Sequence, residues 1–345
     1  MVKVYAPCTR MTEKLRIDGI TNVIKELKRM YNAPRSMELT LNGKVILSPY
    51  PILRIGSRIL RGYYISYSRF KSLDPIPHAK RVLAVDASIK VLYNCGPYKI
   101  VVSKIAWGLW RGFNKRIGGK RYAIAIVLNR SEAAEWLLEI ELQEVLKRVN
   151  LVGKGDYILL DRALMAVPAL RRATRERFEK LDKLVNLRRA ILVGICKSSR
   201  LKLNTGESLI GYLAYLATKR LKGVSWYYYP IFRHSTLPPW YIGDIVVSKL
   251  GEDSEEVFRV DISRRALLTR DIEIVLGELA FMQDHGIPGY PYPLKGVHDE
   301  SRISDDELKW IALRFLDELK EEGILEKFIV TTRSSSFRER YLWGV

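Results

Sequence analysis

Arg81-Val-Leu-Ala-Val-Asp86 and Tyr157-Ile-Leu-Leu-Asp161 are two apolar runs that each stop on an aspartate. Runs of this length between breakers predict buried strands. A carboxylate at the tip of such a strand has no apolar reason to be there. Two such tips on neighbouring strands would hold hard oxygen donors on a rigid frame, the arrangement that metal-assisted phosphodiester chemistry requires.

The surroundings of these runs set the expected architecture. Arg81–Asp86, Lys99–Trp107 and Arg121–Leu128 read as three strands, with a basic, glycine-rich turn at Arg111–Lys120 between the last two. A helix is expected over Glu132–Val149 with Ser131 as its N-cap. Tyr157–Leu160 is a fourth strand, a very basic helix runs from about Pro168 to Arg189, and Ala190–Cys196 is a fifth strand. Three strands, then helix, strand, helix, strand predict a mixed α/β sheet flanked by helices. Downstream, strands are expected at 225–230, 242–247 and 257–262, and helices at 207–220, 271–283 and 304–322. Upstream, a helix at 20–31 and a hairpin at 37–47 around Asn42-Gly43 precede a stretch that ends in the linker-like Leu73-Asp-Pro-Ile-Pro-His78. The expected division is an N-terminal extension (1–80), a core with insertions (81–300) and a C-terminal helical segment (301–345).

Composition narrows the partner. The 345 residues carry 58 Lys and Arg against 38 Asp and Glu, a formal net charge of +20. A surplus this large favours a polyanion through counterion release, so nucleic acid is the expected partner. The basic candidates are Arg111, Lys115, Arg116 and Lys120 in the turn, Arg162 after the second aspartate, and Arg171, Arg172 and Arg175 on the basic helix. Three cysteines without a CxxC pair argue against a disulfide framework or structural zinc and for the reducing cytoplasm. No stretch reaches transmembrane length without charge, so no membrane partner is expected.

The chemistry-bearing residues extend beyond the two aspartates. On the helix 132–149, Ala134, Leu137, Leu138, Leu142, Val145 and Val149 share a face, and Glu141 falls near its middle. A carboxylate on a buried face must be paired, protonated or metal-bound. Glu139 and Glu144 lie nearer the margins and remain alternatives. Asp86, Glu141 and Asp161 together would form an oxygen cage for Mg²⁺ or Mn²⁺. Lys197 follows the fifth strand and would offset phosphate charge. In Gly289-Tyr-Pro-Tyr-Pro-Leu-Lys-Gly-Val-His298, the proline track reads as an extended, stiff backbone. It would present His298 as a metal ligand or proton carrier and Tyr290 as a strand-positioning group.

These residues, in this order, resemble the NurA family of nucleases over roughly 83–298. The resemblance is carried by Asp86-Ala-Ser88, Glu141, Asp161-Arg-Ala-Leu164, Gly194-Ile-Cys-Lys197 and Gly289-Tyr290-Pro291 with Val297-His298. Ala87 and Arg162 depart from the family pattern, which has glycine after both aspartates. The resemblance implies a ribonuclease H-like fold and a Mn²⁺-dependent 5′-to-3′ DNA exonuclease with single-strand activity. It further implies a homodimer that works with a hexameric HerA-type helicase in resecting double-strand breaks. The alternatives are a DNA-binding scaffold of the same fold with weak or no turnover, toward which Arg162 points, and an RNA-processing nuclease.

Overall fold

The computed structural model describes residues 23–25, 28, 40–41, 44–45, 49–55 and 58–332. The chain divides into two units, 1–48 and 49–345. In the first, residues 23–25 and 28 are helical, and β1 (Thr40–Leu41) pairs antiparallel with β2 (Lys44–Val45) on either side of Asn42-Gly43, where a hairpin is expected. The remainder of the expected helix and hairpin lies outside the described residues.

The second unit is built on a nine-stranded mixed sheet. Its strands are β5 (Phe70–Ser72), β6 (Arg81–Asn94), β7 (Lys99–Arg111), β8 (Asn114–Val127), β9 (Tyr157–Leu160), β10 (Ile191–Cys196), β12 (Trp226–Tyr228), β13 (Gly243–Lys249) and β14 (Phe258–Ser263). They lie in the order β5-β12-β13-β14-β10-β9-β6-β7-β8. β9 runs parallel to both β6 and β10, and the other pairings are antiparallel. A separate three-stranded sheet joins β3 (Pro51–Ile55), β4 (Arg58–Arg61) and β11 (Lys202–Leu203). The region read from sequence as extension and linker thus contributes three strands to this unit, and residues 73–80 lead into β6 without regular structure.

Helices complete the unit: α1 (Arg130–Arg148), α2 (Arg172–Leu187), α3 (Leu209–Thr218), α4 (Arg264–Leu267), α5 (Ile272–Phe281), α6 (Tyr292–Ser301) and α7 (Asp305–Glu321). Residues 325–332 are helical as well. Strand alternation sorts the elements into layers. Val82 and Ala84 of β6, with Val193 and Ile195 of β10, pack with Leu276, Leu279, Leu294 and Val297 of α5 and α6. Leu83 and Val85 face the other way, onto Leu138, Leu142, Phe178 and Leu181 of α1 and α2. α3 packs on Trp226, Tyr228, Ile245 and Val247.

Four expectations are corrected. Asp86 is not a strand end, because β6 continues to Asn94. The basic turn 111–120 is mostly strand. Gly112, at φ +59°, and Phe113 make the turn, and Arg111 pairs with Asn114. β8 is the sheet edge, where lysine, arginine and glycine are tolerated and discourage further pairing. Asn129, not Ser131, caps α1, its Oδ1 accepting from the Glu132 amide at 3.0 Å. The Tyr-Pro track is not extended beyond its start: Pro291 precedes α6 and Pro293 sits in its first turn, where no intrahelical N–H is required.

Candidate active site

Register brings the two aspartates together. In the parallel β6–β9 pair, Val85 lies opposite Leu160, so Asp86 and Asp161 are the next step along both strands. Pairing with β9 ends there, while β6 continues against β7 with Asp86 opposite Ala106. The aspartate therefore marks the end of one ladder inside a longer strand.

Parity then selects the face. Asp86 has the parity of Val82 and Ala84, and so projects into the layer of α6. There His298 Nδ1 lies 2.9 Å from Asp86 Oδ2. Ser301, one helical turn further, has its hydroxyl 3.1 Å from the same oxygen and 2.9 Å from the His298 carbonyl. Lys197 continues the parity of Val193 and Ile195 in β10, and its Nζ is 2.7 Å from Asp161 Oδ2. The ammonium also lies 4.8 Å from the centre of the Tyr290 ring. Tyr290 is buried, and among the described residues no hydrogen bond of good geometry reaches its hydroxyl. Burial, with the Asp161 and Asp86 charges, pushes its phenol well above the usual range.

One ligand atom from each of Asp86, Asp161 and His298 lies within 4.8 Å of the other two. Donors on one six-coordinate ion lie roughly 3 to 4.2 Å apart, so a small inward movement suffices. Two carboxylates and an imidazole suit Mn²⁺ or Mg²⁺, the imidazole favouring the softer Mn²⁺. Burial raises the Asp161 carboxyl above its ordinary range, Lys197 opposing the shift and the Asp86 charge adding to it. A cation between the two carboxylates would relieve that repulsion.

Glu141 approaches from the opposite layer, on α1. It is buried, and its carboxylate is paired with the Arg162 guanidinium. Arg162 has the opposite parity to Asp161 and so turns toward α1. Burial pushes the Glu141 carboxyl up to about 8, with Arg162 opposing and the Asp86 and Asp161 charges reinforcing the shift. Glu141 is not one of the three donors that share the 4.8 Å separation. Of the alternatives, Glu139 pairs with Arg177. Glu144 is buried against Arg121 at 2.9 Å and Arg148 at 2.8 Å.

The expected DNA-contacting residues are dispersed. Arg162 is turned inward to Glu141. Arg171 meets Glu132 and Glu135, and Arg172 meets Glu176. Arg175 is half-buried, on a helix that covers the face opposite α6. Arg111 and Arg116 are exposed near the β7–β8 turn, Lys120 is exposed in the middle of β8 opposite Ala106, and Lys115 reaches Glu300 of α6. Sequence reading missed two basic features, one of them at the site. Lys295 joins Lys197, Phe258, Tyr290 and His298 around a cavity of about 270 Å³. Arg54, Arg200 and Lys202 line a second cavity of about 450 Å³, which also includes Met165 and Tyr241. Its walls come from segments remote in sequence, so no local charge run announces it.

The NurA domain family matches residues 80–303. No curated protein matches the sequence. Among solved structures, the NurA nuclease from Sulfolobus solfataricus is 13% identical, with a TM-score of 0.54 over 88% of this chain and 95% of that one. A second NurA structure is 10% identical, with a TM-score of 0.45 over 68% of this chain and 87% of the other. Human endonuclease V is 13% identical, with a TM-score of 0.40 over 71% and 94% of the two chains. The mixed sheet and its flanking helices are ribonuclease H-like.

Proposed function

The chain belongs to the NurA family, and we propose that it is a divalent-metal-dependent nuclease acting on DNA. The observation that carries this reading is the convergence of Asp86, Asp161 and His298 on one face of the sheet. In this reading these three residues hold the cation, Mn²⁺ or Mg²⁺. When bound, such an ion polarises the phosphate and lowers the pKa of a water.

The chain's own groups prepare that event. Ser301 and His298 fix the Asp86 carboxylate from one helix face. Lys197 fixes Asp161, and with 41% of its side chain exposed it remains open to a phosphate oxygen. Tyr290 closes the wall beneath it and limits the water around the two carboxylates. Arg54, Arg200 and Lys202 supply positive charge for the strand's backbone, and no acidic residue among those described lines their cavity.

The finer setting follows the family: 5′-to-3′ cleavage with single-strand activity, a homodimer, and a HerA-type helicase as partner in break resection. The deciding experiment is digestion of end-labelled single-stranded DNA with Mn²⁺, with Mg²⁺ and with EDTA, alongside Asp86→Asn. Cleavage by the wild-type chain that EDTA and D86N each abolish, with DNA binding retained, supports the reading. Undiminished cleavage by D86N overturns it. Binding without cleavage under any metal favours the scaffold alternative.

A further inference from the structure

Lys197, Tyr290 and His298 serve two spaces. They belong to the centre described above, and with Glu256, Phe258, Ile287 and Lys295 they line the cavity of about 270 Å³. His298 is one of the three donors, so the cavity shares a wall with the cation site. Sites for small organic ligands span roughly 300–1,000 Å³. A cavity just below that range has room for one planar ring system, not for a base pair.

Its chemistry suits a base better than a phosphate. Phe258 and Tyr290 are buried, with ring centres 5.7 Å apart, and Ile287 is exposed. These three give the cavity apolar walls. Its two ammonium groups are engaged, Lys197 with Asp161 and Lys295 with Asp299. Glu256, also exposed, adds a carboxylate that repels a phosphate. The walls are fixed as well. Asp284 Oδ1 accepts from the Gly286 and Ile287 amides at 2.9 and 2.7 Å, and the Tyr290 amide donates to the Ile287 carbonyl at 3.1 Å. The Glu256 amide donates to Ser254 Oγ at 2.9 Å. A Cβ on Gly289 would come within 2.7 Å of that same oxygen, so the two loops lie against each other. A cavity formed in advance costs little ordering when it is filled.

We propose that this cavity is a base-binding subsite, which takes one unpaired nucleobase of the strand whose phosphate lies at the centre. The inference rests on the nuclease reading above. The base buries its faces against Phe258, Tyr290 and Ile287, and its pairing edge, which carries an N–H donor in all four bases, meets the Glu256 carboxylate. A base still in a duplex has that edge occupied and its partner attached. It must leave its pair before it enters, so the subsite selects single-stranded DNA at the point of cleavage without reading sequence.

The test maps contact rather than turnover. Single-stranded DNA whose pyrimidines are all 5-iodouracil is bound to the full chain in EDTA and irradiated, and the cross-linked residues are identified by mass spectrometry. The wild type is expected to cross-link through Phe258 or Tyr290. The same DNA annealed into a blunt duplex is expected to lose those cross-links. Ile287→Trp, which fills the cavity from an exposed position, should reduce them about fivefold or more while Mn²⁺ affinity stays at the wild-type value. Cross-links confined to other residues, or none at all, overturn the proposal. So do equal yields at the two rings from the duplex, or undiminished yields in I287W. The wild-type map stands even where I287W fails to fold. Calorimetry with Mn²⁺ alone separates the two readings: no bound ion removes the metal centre and leaves the cross-link map standing, whereas a bound ion with cross-links elsewhere removes the subsite alone.

Discussion

Nδ1 of His298 lies 2.9 Å from Oδ2 of Asp86, although 212 residues separate them in the chain. The contact ties α6 to the centre of β6. Ser301 adds its hydroxyl 3.1 Å from the same oxygen. In the proposed centre, His298→Ala removes a donor, and Ser301→Ala removes the group that orients one. S301A is expected to weaken Mn²⁺ binding by roughly 10-fold to 100-fold, the usual effect of losing an orienting partner, and H298A by at least as much. Calorimetric Mn²⁺ titration measures both. Unchanged affinity in H298A removes the imidazole from the centre.

Gly194 offers a test of how the Asp161 loop is held. Its β10 backbone approaches the Arg162 carbonyl so closely that any side chain must push the loop away. Gly194→Ala is expected to destabilise the fold by about 1–3 kcal/mol through overpacking. It should also weaken Mn²⁺ binding, because Asp161 moves with the loop. Urea unfolding and metal titration are the measurements. A variant indistinguishable from wild type in both would show that the loop has room the structure does not indicate.

The Glu141 carboxyl makes stability depend on pH. Burial raises it from 4.5 to about 8, so between those values the folded chain binds more protons than the unfolded one. Its contribution is complete below about pH 4.5 and is lost as pH rises through about 8. Glu141→Gln should flatten the wild type's decline across that window. Urea midpoints of chelator-treated protein at several pH values test this, and an identical slope in the variant counts against it.

Lys104 and Glu307 give the opposite sign. Lys104 is buried on β7, and its ammonium lies 2.7 Å from Glu307 of α7. Hydrogen bonds from Lys104 and Tyr122 lower the Glu307 carboxyl from 4.5 to about 2. The stabilisation is present above about pH 4.5 and is lost as pH falls through about 2. Glu307→Gln leaves a buried ammonium poorly paired and is expected to cost about 1–3 kcal/mol at neutral pH. Adding Lys104→Met should recover much of that loss. Additive losses in the double variant would show that the two side chains do not act as a pair.

Much of this was legible in the chain itself. The apolar runs at 81–86, 157–160 and 191–196 marked the central strands, because a run buried on both faces admits few polar residues. The expected helix at 304–322 was legible for an equally local reason, since Ser304 and Glu307 form a capping box whose two hydrogen bonds close within one turn. Helical spacing placed Glu141 on the buried face of α1. Edges were less legible. β6 runs on to Asn94 and β8 starts at Asn114, because partner strands extend a ladder through charged and glycine-rich residues that show no apolar pattern.

The sequence by itself determined the strand–helix order from β6 to β10, the positive surplus and the residue types able to hold a cation, all of which follow from composition and short-range periodicity. Tertiary structure alone decided which of those residues meet. The β6–β9 register put Asp86 beside Asp161, strand parity sent both toward α6, and the opposite parity gave Arg162 to Glu141. The physical reason is that side-chain direction in a sheet alternates with every residue, so a shift of one position in register exchanges the two faces. Local sequence does not encode the pairing partner that sets that register.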